Sequence, residues 1–167
     1  MVAMVLCTGS YFIPVENRFI TFSSPQHVFN YSVMGDMNTV IEGKNSALIL
    51  YTYQEAEVYT VIPKVKNGWG IGTSLISEEV FSKTWQGDNE KICMISVYRC
   101  KHTDDYYVLV SDISSKDLIN ISDNRNSIFQ KNKSSIDPST TYCSYVEGIG
   151  QNYELTIDGE IIHISSR

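Results

Sequence analysis

The feature that most limits how this chain can fold is a succession of short segments, rich in Val, Ile, Leu and Tyr and separated by turn residues. The clearest case is Asp158-Gly159, which separates residues 155–157 from 160–164 in the pattern typical of a two-residue hairpin. Residues 46–53 form another such segment. Many short strands predict a mainly β protein, of the β-rich α+β kind. Its antiparallel sheet would form a sandwich, a strongly bent sheet or a partly open barrel.

Two segments carry helix-start signals. Ser24 suits the N-cap and Pro25 the first helical position, which predicts a short helix over residues 25–33. Ser77, followed by two glutamates that would suit the positive end of a helix dipole, predicts a second short helix over residues 77–83.

Length and composition indicate one folded domain. The chain has 167 residues, of which 43% are hydrophobic and 19% charged, with four prolines and ten glycines. This composition excludes a disordered or collagen-like chain, and the length suits a single domain with its own core. We expect residues 11–167 to form that domain and treat residues 1–10 separately.

The charge balance argues against nucleic acid as a partner. There are 13 Lys and Arg against 19 Asp and Glu, a net charge of −6, and the basic residues are scattered. Binding of phosphate backbones requires clustered cations. An anionic membrane surface is disfavoured for the same reason.

The apolar start of the chain has two interpretations. Residues 1–7 are mostly apolar, and Cys7 and Gly9 would occupy the −3 and −1 positions if a signal peptidase cleaved before Ser10. The run is too short to span a bilayer, which needs about 20 residues. Residues 1–10 are therefore predicted to be the remnant of an export signal, with an ordinary first β-strand as the alternative.

A loose resemblance supports the export interpretation. Residues 6–10 look like the end of a bacterial lipoprotein signal, although Ser10 stands where the lipidated Cys is expected. Residues 22–31, 41–43 and 46–51 resemble small exported (lipobox-like) bacterial proteins of unassigned function. The resemblance implies an extracytoplasmic location, secreted or in the cell envelope, and no particular activity.

The four cysteines favour structural roles. Cys93 lies in an apolar strand pattern and is predicted to be a buried free thiol. Cys100 and Cys143, both near strand ends, are the pair that would form a disulfide if one exists. Cys100 and His102 would share one strand face, but zinc needs three or four convergent ligands, so we predict no metal and no cofactor.

No pattern in the sequence predicts a catalytic residue. A Cys–His pair is formally possible, but no glycine-rich elbow or acidic partner accompanies any cysteine. Adjacent carboxylates occur at Asp104-Asp105 and Glu78-Glu79, and neighbours on a strand point to opposite faces. The sequence therefore predicts a protein that is not an enzyme.

Aromatic residues supply the candidate binding surface. Trp69 lies between glycines in Gly-Trp-Gly-Ile-Gly, where a ligand or another strand could approach the backbone. The chain has eleven tyrosines, a residue common at wet interfaces. We take Trp69, Tyr106, Tyr107, Tyr51 and Tyr53 as the candidate binding residues, with packing in the core and across strands as the alternative.

These observations favour a non-enzymatic, exported or cell-envelope β-rich domain that binds another macromolecule, either a protein or an envelope component. The alternative is a small intracellular inhibitory protein of the immunity type, whose acidity would suit a basic protein partner. A hydrolase whose site residues are distant in sequence is the third hypothesis.

Export makes a direct prediction. We expect the mature protein to be recovered outside the cytoplasm with residues upstream of Ser10 removed, as measured by cell fractionation and N-terminal sequencing. Recovery of the product from the cytosol with Met1 or Val2 at its start would contradict the export hypothesis.

Overall fold

The computed structural model describes residues 20–71, 76–113, 119–134, 136, 138–150 and 152–165. It contains 60% strand and 8% helix, with antiparallel sheets, one of which is strongly curled into a half-barrel. The predicted mainly β fold class is therefore confirmed. The predictions for Cys7, Ser10 and the rest of residues 1–10 lie outside the described residues.

The described residues form one α-helix, twelve strands and a single 3-10 turn (Asp88–Glu90). The helix is α1 (Pro25–Ser32), as the sequence predicted, and the Ser24 hydroxyl accepts a hydrogen bond from the His27 amide at its start. The strands are β1 (Asp36–Glu42), β2 (Ser46–Tyr53), β3 (Ala56–Val65), β4 (Gly68–Trp69), β5 (Ser77–Gln86), β6 (Ile92–Cys100), β7 (Asp105–Asp112), β8 (Ile121–Asp123), β9 (Gln130–Lys133), β10 (Thr140–Glu147), β11 (Tyr153–Ile157) and β12 (Glu160–Ile164).

Three sheets are built from these strands. Sheet I has the order β1-β2-β3-β4, sheet II the order β5-β6-β7-β10-β9, and sheet III the order β12-β11-β8. Neighbours within each sheet are antiparallel. The predicted Asp158-Gly159 hairpin joins β11 to β12, with Ile157 opposite Glu160 and both turn residues at positive φ.

Three hydrophobic clusters hold the elements in four layers. α1 packs on one face of sheet I through Val28 and Phe29. The other face of sheet I packs on sheet II, and the far side of sheet II packs on sheet III. Sheets I and II are thus each covered on both faces.

This layering explains the apolar runs in the sequence. Along β2, Leu48 and Leu50 face sheet II, while Ala47 and Ile49 face the helix. A strand buried on both sides needs apolar residues at consecutive positions rather than in alternation. β7 and β10 occupy the same kind of position between sheets I and III and carry long buried runs for the same reason.

A buried carboxylate fixes one end of the contact between sheets I and II. Asp105 is fully buried at the start of β7 and accepts hydrogen bonds from the Asn45 amide (2.7 Å), the Ser46 hydroxyl (2.7 Å) and the Tyr145 hydroxyl (3.1 Å). Burial raises the pKa of Tyr145 to about 12, so its hydroxyl remains a donor at neutral pH. Because the Ser46 hydroxyl donates to Asp105, the Tyr107 hydroxyl 2.8 Å away donates to Ser46.

A second carboxylate joins the same two sheets near the opposite ends of their strands. Glu57, on β3, accepts hydrogen bonds from the Thr141 hydroxyl on β10 (2.7 Å) and from the Asn132 side-chain amide on β9. The Asn132 oxygen in turn accepts from the Thr39 hydroxyl on β1 (3.2 Å). The apolar interface between sheets I and II therefore has a hydrogen-bonded carboxylate at each end.

The predicted second helix is wrong. Residues 77–83 belong to β5, which pairs with β6 along its whole length and has a bulge between Glu79 and Phe81. Ser77 and the two following glutamates favour the start of a helix. They carry no information about whether the later residues of the segment are helical. The β-prone residues of the segment, Val80 and Phe81, pack against the cluster between sheets II and III, and this tertiary burial determines the outcome.

The predicted disulfide is absent and the predicted free thiol is confirmed. Cys93, Cys100 and Cys143 are all buried free cysteines. Cys100 lies on β6 and Cys143 on β10, and β7 runs between them. Two strand spacings separate their Cα atoms by about 9.5 Å or more, beyond the limit of about 7 Å for a disulfide.

The turn between β2 and β3 generates a stability prediction. Gln54 and Glu55 form its two central positions, and both have positive φ, which β-hairpins usually give to Asn and Gly. We expect Gln54→Asn with Glu55→Gly to raise the free energy of unfolding by about 1–2 kcal/mol, which is about 2–4 °C in the thermal midpoint per kcal/mol. Thermal and denaturant unfolding would measure this.

The control is a substitution of the opposite kind in another turn, where glycine at positive φ is replaced by a residue with a Cβ atom. Gly159 has φ +88° and open space around its Cα, so Gly159→Ala should cost about 1 kcal/mol through backbone conformation alone. An unchanged stability in both variants would contradict the assignment of strain to these turns.

Candidate functional site

The structure places three of the five predicted binding residues in the core. Trp69 is 6% exposed and packs with the α1 cluster, beneath the Lys64 ammonium group at 5.6 Å. Tyr107 is fully buried between sheets I and II. Tyr106 points to the other side of β7, where the Arg99 guanidinium group covers its ring at 5.6 Å. These three side chains are not available as a surface platform.

The other two predicted residues lie on β2. Tyr51 is half-buried, and its ring meets that of Phe29 edge-on at 5.1 Å between centroids. Tyr53, at the end of the strand, is exposed. The structure therefore brings no aromatic surface together from the five residues. The abundance of aromatic residues in the sequence reflects strands that are buried on both faces.

A candidate site lies along the line where the edges of sheets II and III face each other. β5 is the outer strand of sheet II and β12 the outer strand of sheet III. The Trp85 indole N–H donates to Glu160 (2.8 Å), and Ser165 lies beside residues 78–82, so the two strands run in opposite directions. Within the described residues β5 pairs only with β6 and β12 only with β11. We call this line, with its two clefts, the seam.

One cleft of about 520 Å³ lies at the Trp85 end of the seam. Trp85 is 4% exposed, and Gly87 packs directly on its ring, since a Cβ at position 87 would lie 2.2 Å from the Trp85 ring. Only glycine fits this approach. The ring thus forms a fixed wall, and Glu160 is held against it by the indole hydrogen bond.

An ion pair lines the same cleft. The Lys91 ammonium group lies 2.9 Å from Asp158, which also accepts the Asn120 backbone amide at 2.8 Å. The hydrogen bond from the Asn120 amide has the larger effect and the contact with Lys91 the smaller, and both hold the pKa of Asp158 below its usual range. Asp158 is therefore ionised at neutral pH and fixed in position by its own turn.

A second cleft of about 530 Å³ lies at the other end of the seam, beside the β5 bulge. It is lined by Val80, Phe81 and Ser82 together with Glu78 and Glu79. Glu79 accepts a hydrogen bond from the Tyr98 hydroxyl on β6 at 3.1 Å, which fixes one carboxylate at the mouth.

The seam carries much of the negative charge of the protein. Its two clefts are lined by five carboxylates and one ammonium group, a net charge of −4, while the whole chain carries −6. Lys83 lies on β5 between the clefts. The carboxylates are Glu78, Glu79, Asp88, Asp158 and Glu160.

A third cleft, of about 600 Å³, lies at the Asp105 end of sheets I and II. Its lining has mixed charge, with Lys44 paired to Glu147 at 2.7 Å. The loop between β6 and β7 forms one wall and is held by the Thr103 hydroxyl, which donates to the Cys100 carbonyl. Three lysines and two carboxylates line this cleft, a net charge of +1, so its charge is less one-sided than that of the seam.

Two of the buried cysteines, Cys93 and Cys143, do not provide a nucleophile at neutral pH. Burial raises the pKa of both the Cys93 and Cys143 thiols to about 12, with Asp112 and Glu57 as the respective nearby negative charges. A thiol held in its neutral form is a poor nucleophile. Across the described ranges, no group of three or more His, Cys, Asp or Glu side chains could hold a metal ion.

No family model, curated protein or solved structure matches this chain. No helix in the described part of the chain is long and apolar enough to cross a bilayer.

Sequence reasoning missed the seam because it assigned residues 77–83 to a helix. The closing hairpin was predicted, but the sequence gives no sign that its outer strand faces β5. One usable signal was present: Val80, Phe81, Thr84 and Trp85 are all residues that favour strands, and they immediately precede the predicted strand at residues 91–101.

Asp158 generates a prediction of pH-dependent stability. Its pKa is lower in the folded than in the unfolded protein, so its charge contributes stability that is complete above the unfolded pKa of about 3.9 and is lost as the pH falls through the folded pKa. We expect Asp158→Asn to lower the thermal midpoint at pH 7, with the difference from wild type closing below about pH 4.

Thermal unfolding of both proteins across this pH range measures the effect. Asn keeps the shape and tolerates positive φ, so the substitution tests the charge. Asp36→Asn makes the same charge change at an exposed residue of β1 and serves as control. A difference that persists undiminished at low pH would contradict an electrostatic role for Asp158.

Proposed function

We propose that the protein is a non-catalytic, exported β-rich domain, secreted or held in the cell envelope, that binds a macromolecular partner along the seam. The observation that carries the proposal is the free edge of β5. This strand is ten residues long, and within the described residues its outer side has no strand paired to it. Long edge strands are natural sites for association with another chain.

The surroundings of this edge support a binding role. The seam has a cleft at either end, and both clefts have fixed walls, formed by Trp85 against Gly87 and by Glu79 against Tyr98. Pre-organised walls reduce the entropy lost on binding. Export rests on the signal-like residues 1–10 and stays a proposal.

The acidity of the seam also favours the second candidate function, a small inhibitory protein of the immunity type. Such a protein would mask a basic surface of a toxin, and opposite charges on the two partners accelerate their association. The two candidates share the binding surface and differ in compartment, so cell fractionation separates them.

Site-specific photo-crosslinking tests the seam as the binding surface. A benzophenone amino acid placed at Ser82, an exposed residue of β5 that lines one cleft, should give a discrete adduct in the cells that naturally produce the protein. The same amino acid at Ser122, an exposed residue of the edge strand β8, is the matched control.

We expect an adduct from position 82 and none from position 122. The mass of the adduct should exceed that of the protein by the mass of one bound partner. Equal adducts at both positions, or none at 82 while the protein is folded and abundant, would contradict the seam as the binding surface. An adduct of twice the protein mass that carries two copies of the tag would show self-association instead.

A further inference from the structure

We propose that the seam binds an extended, basic segment of a partner polypeptide, which pairs with the outer edge of β5 as an additional strand. This inference rests on the proposed function and names the chemistry of the partner. Strand addition gives affinity through main-chain hydrogen bonds and specificity through pockets for alternate side chains.

The backbone of β5 supplies the first requirement. Its ten residues pair on one side with β6, from Ser77 opposite Cys100 to Gln86 opposite Ile92. In an antiparallel ladder, alternate residues direct their amide and carbonyl groups to the other side. The bulge between Glu79 and Phe81 interrupts this alternation once, and the residues after it form a regular stretch through Gln86.

The charges supply the second requirement. The clefts at the two ends of the seam are lined by five carboxylates against one ammonium group, Lys91, which is itself paired with Asp158. Glu78 and Asp88 are exposed, one at each end. A basic segment would find opposite charges at both ends, whereas an acidic one would be repelled.

The separation of the clefts sets the spacing of the basic residues. Glu78 and Trp85 pair with Arg99 and Cys93 of β6, which are six residues apart because β5 has one extra residue at its bulge, so the two positions are separated by about 20 Å of extended strand. A bound strand would therefore place Lys or Arg residues about six positions apart, with β-prone residues between them.

A peptide with this spacing tests the inference on the full-length protein. The probe is Lys-Thr-Val-Thr-Val-Thr-Lys, labelled with a fluorophore and measured by fluorescence anisotropy at low ionic strength. We expect saturable binding that weakens with added salt, together with slower hydrogen exchange at alternate amides of β5.

Variants of the protein test the charges. Glu78→Lys with Asp88→Lys should weaken binding about tenfold or more, because both ends of the seam then repel the peptide. Asp36→Lys with Glu42→Lys makes the same change in net charge at exposed residues of β1 and should leave binding nearly unchanged. The neutral pair Glu78→Gln with Asp88→Asn, which changes the fold least, should give an intermediate loss.

Variants of the peptide test the backbone pairing. N-methylation at alternate residues removes main-chain donors and keeps the charge, so it should abolish binding. Equal binding of the methylated peptide, equal binding of a peptide with Glu in place of Lys, or protection of amides outside β5 would each overturn strand addition of a basic segment.

The outcomes separate this inference from the proposed function. An adduct at position 82 in cells, combined with no binding of the basic peptide, would overturn the partner chemistry and leave the seam as the binding surface. Peptide binding without any adduct at position 82 would support the binding of basic segments to the edge of β5. It would contradict the seam as the surface used in the cell.

Discussion

The arrangement of the sheets depends on the burial of Asp105. A carboxylate removed from water is tolerated only where hydrogen-bond donors replace the lost solvent. Asn45, Ser46 and Tyr145 supply those donors from two different sheets. The requirement therefore ties the turn between β1 and β2 to the start of β7 and the end of β10, and it fixes how sheet I sits on sheet II.

With that contact fixed, the remaining layers follow from burial. The far face of sheet I is covered by α1 and the far face of sheet II by sheet III. Sheet III is short, and its outer strand β12 stops beside β5 without pairing to it. The stack of sheets II and III therefore remains open along one line, and that line is where the acidic side chains gather.

The sequence contained the fold class but not the arrangement of the sheets. Segments such as Ser46–Tyr53 were predictable because a strand buried on both faces is apolar at consecutive positions, here at residues 47–50. The Gln54-Glu55 turn carries no turn signal, and its conformation is imposed by the pairing of β2 with β3. Trp69 illustrates why the burial of the candidate residues could not be predicted: an aromatic residue between glycines looks the same in a sequence whether it lies at the surface or under a helix. The seam joins residues about 80 positions apart, a distance at which local patterns carry no information.

The donors around Asp105 also order events during synthesis. Asn45 and Ser46 emerge from the ribosome before Asp105, whereas Tyr145 follows about 40 residues later. The nascent chain can bring the 43–46 turn to Asp105 early, but the last donor and the strand that carries it, β10, are still missing. Until β10 is made, the inner face of sheet II is incomplete and water keeps access to the carboxylate. The stacking of sheets I and II is therefore completed only after β10 has been made.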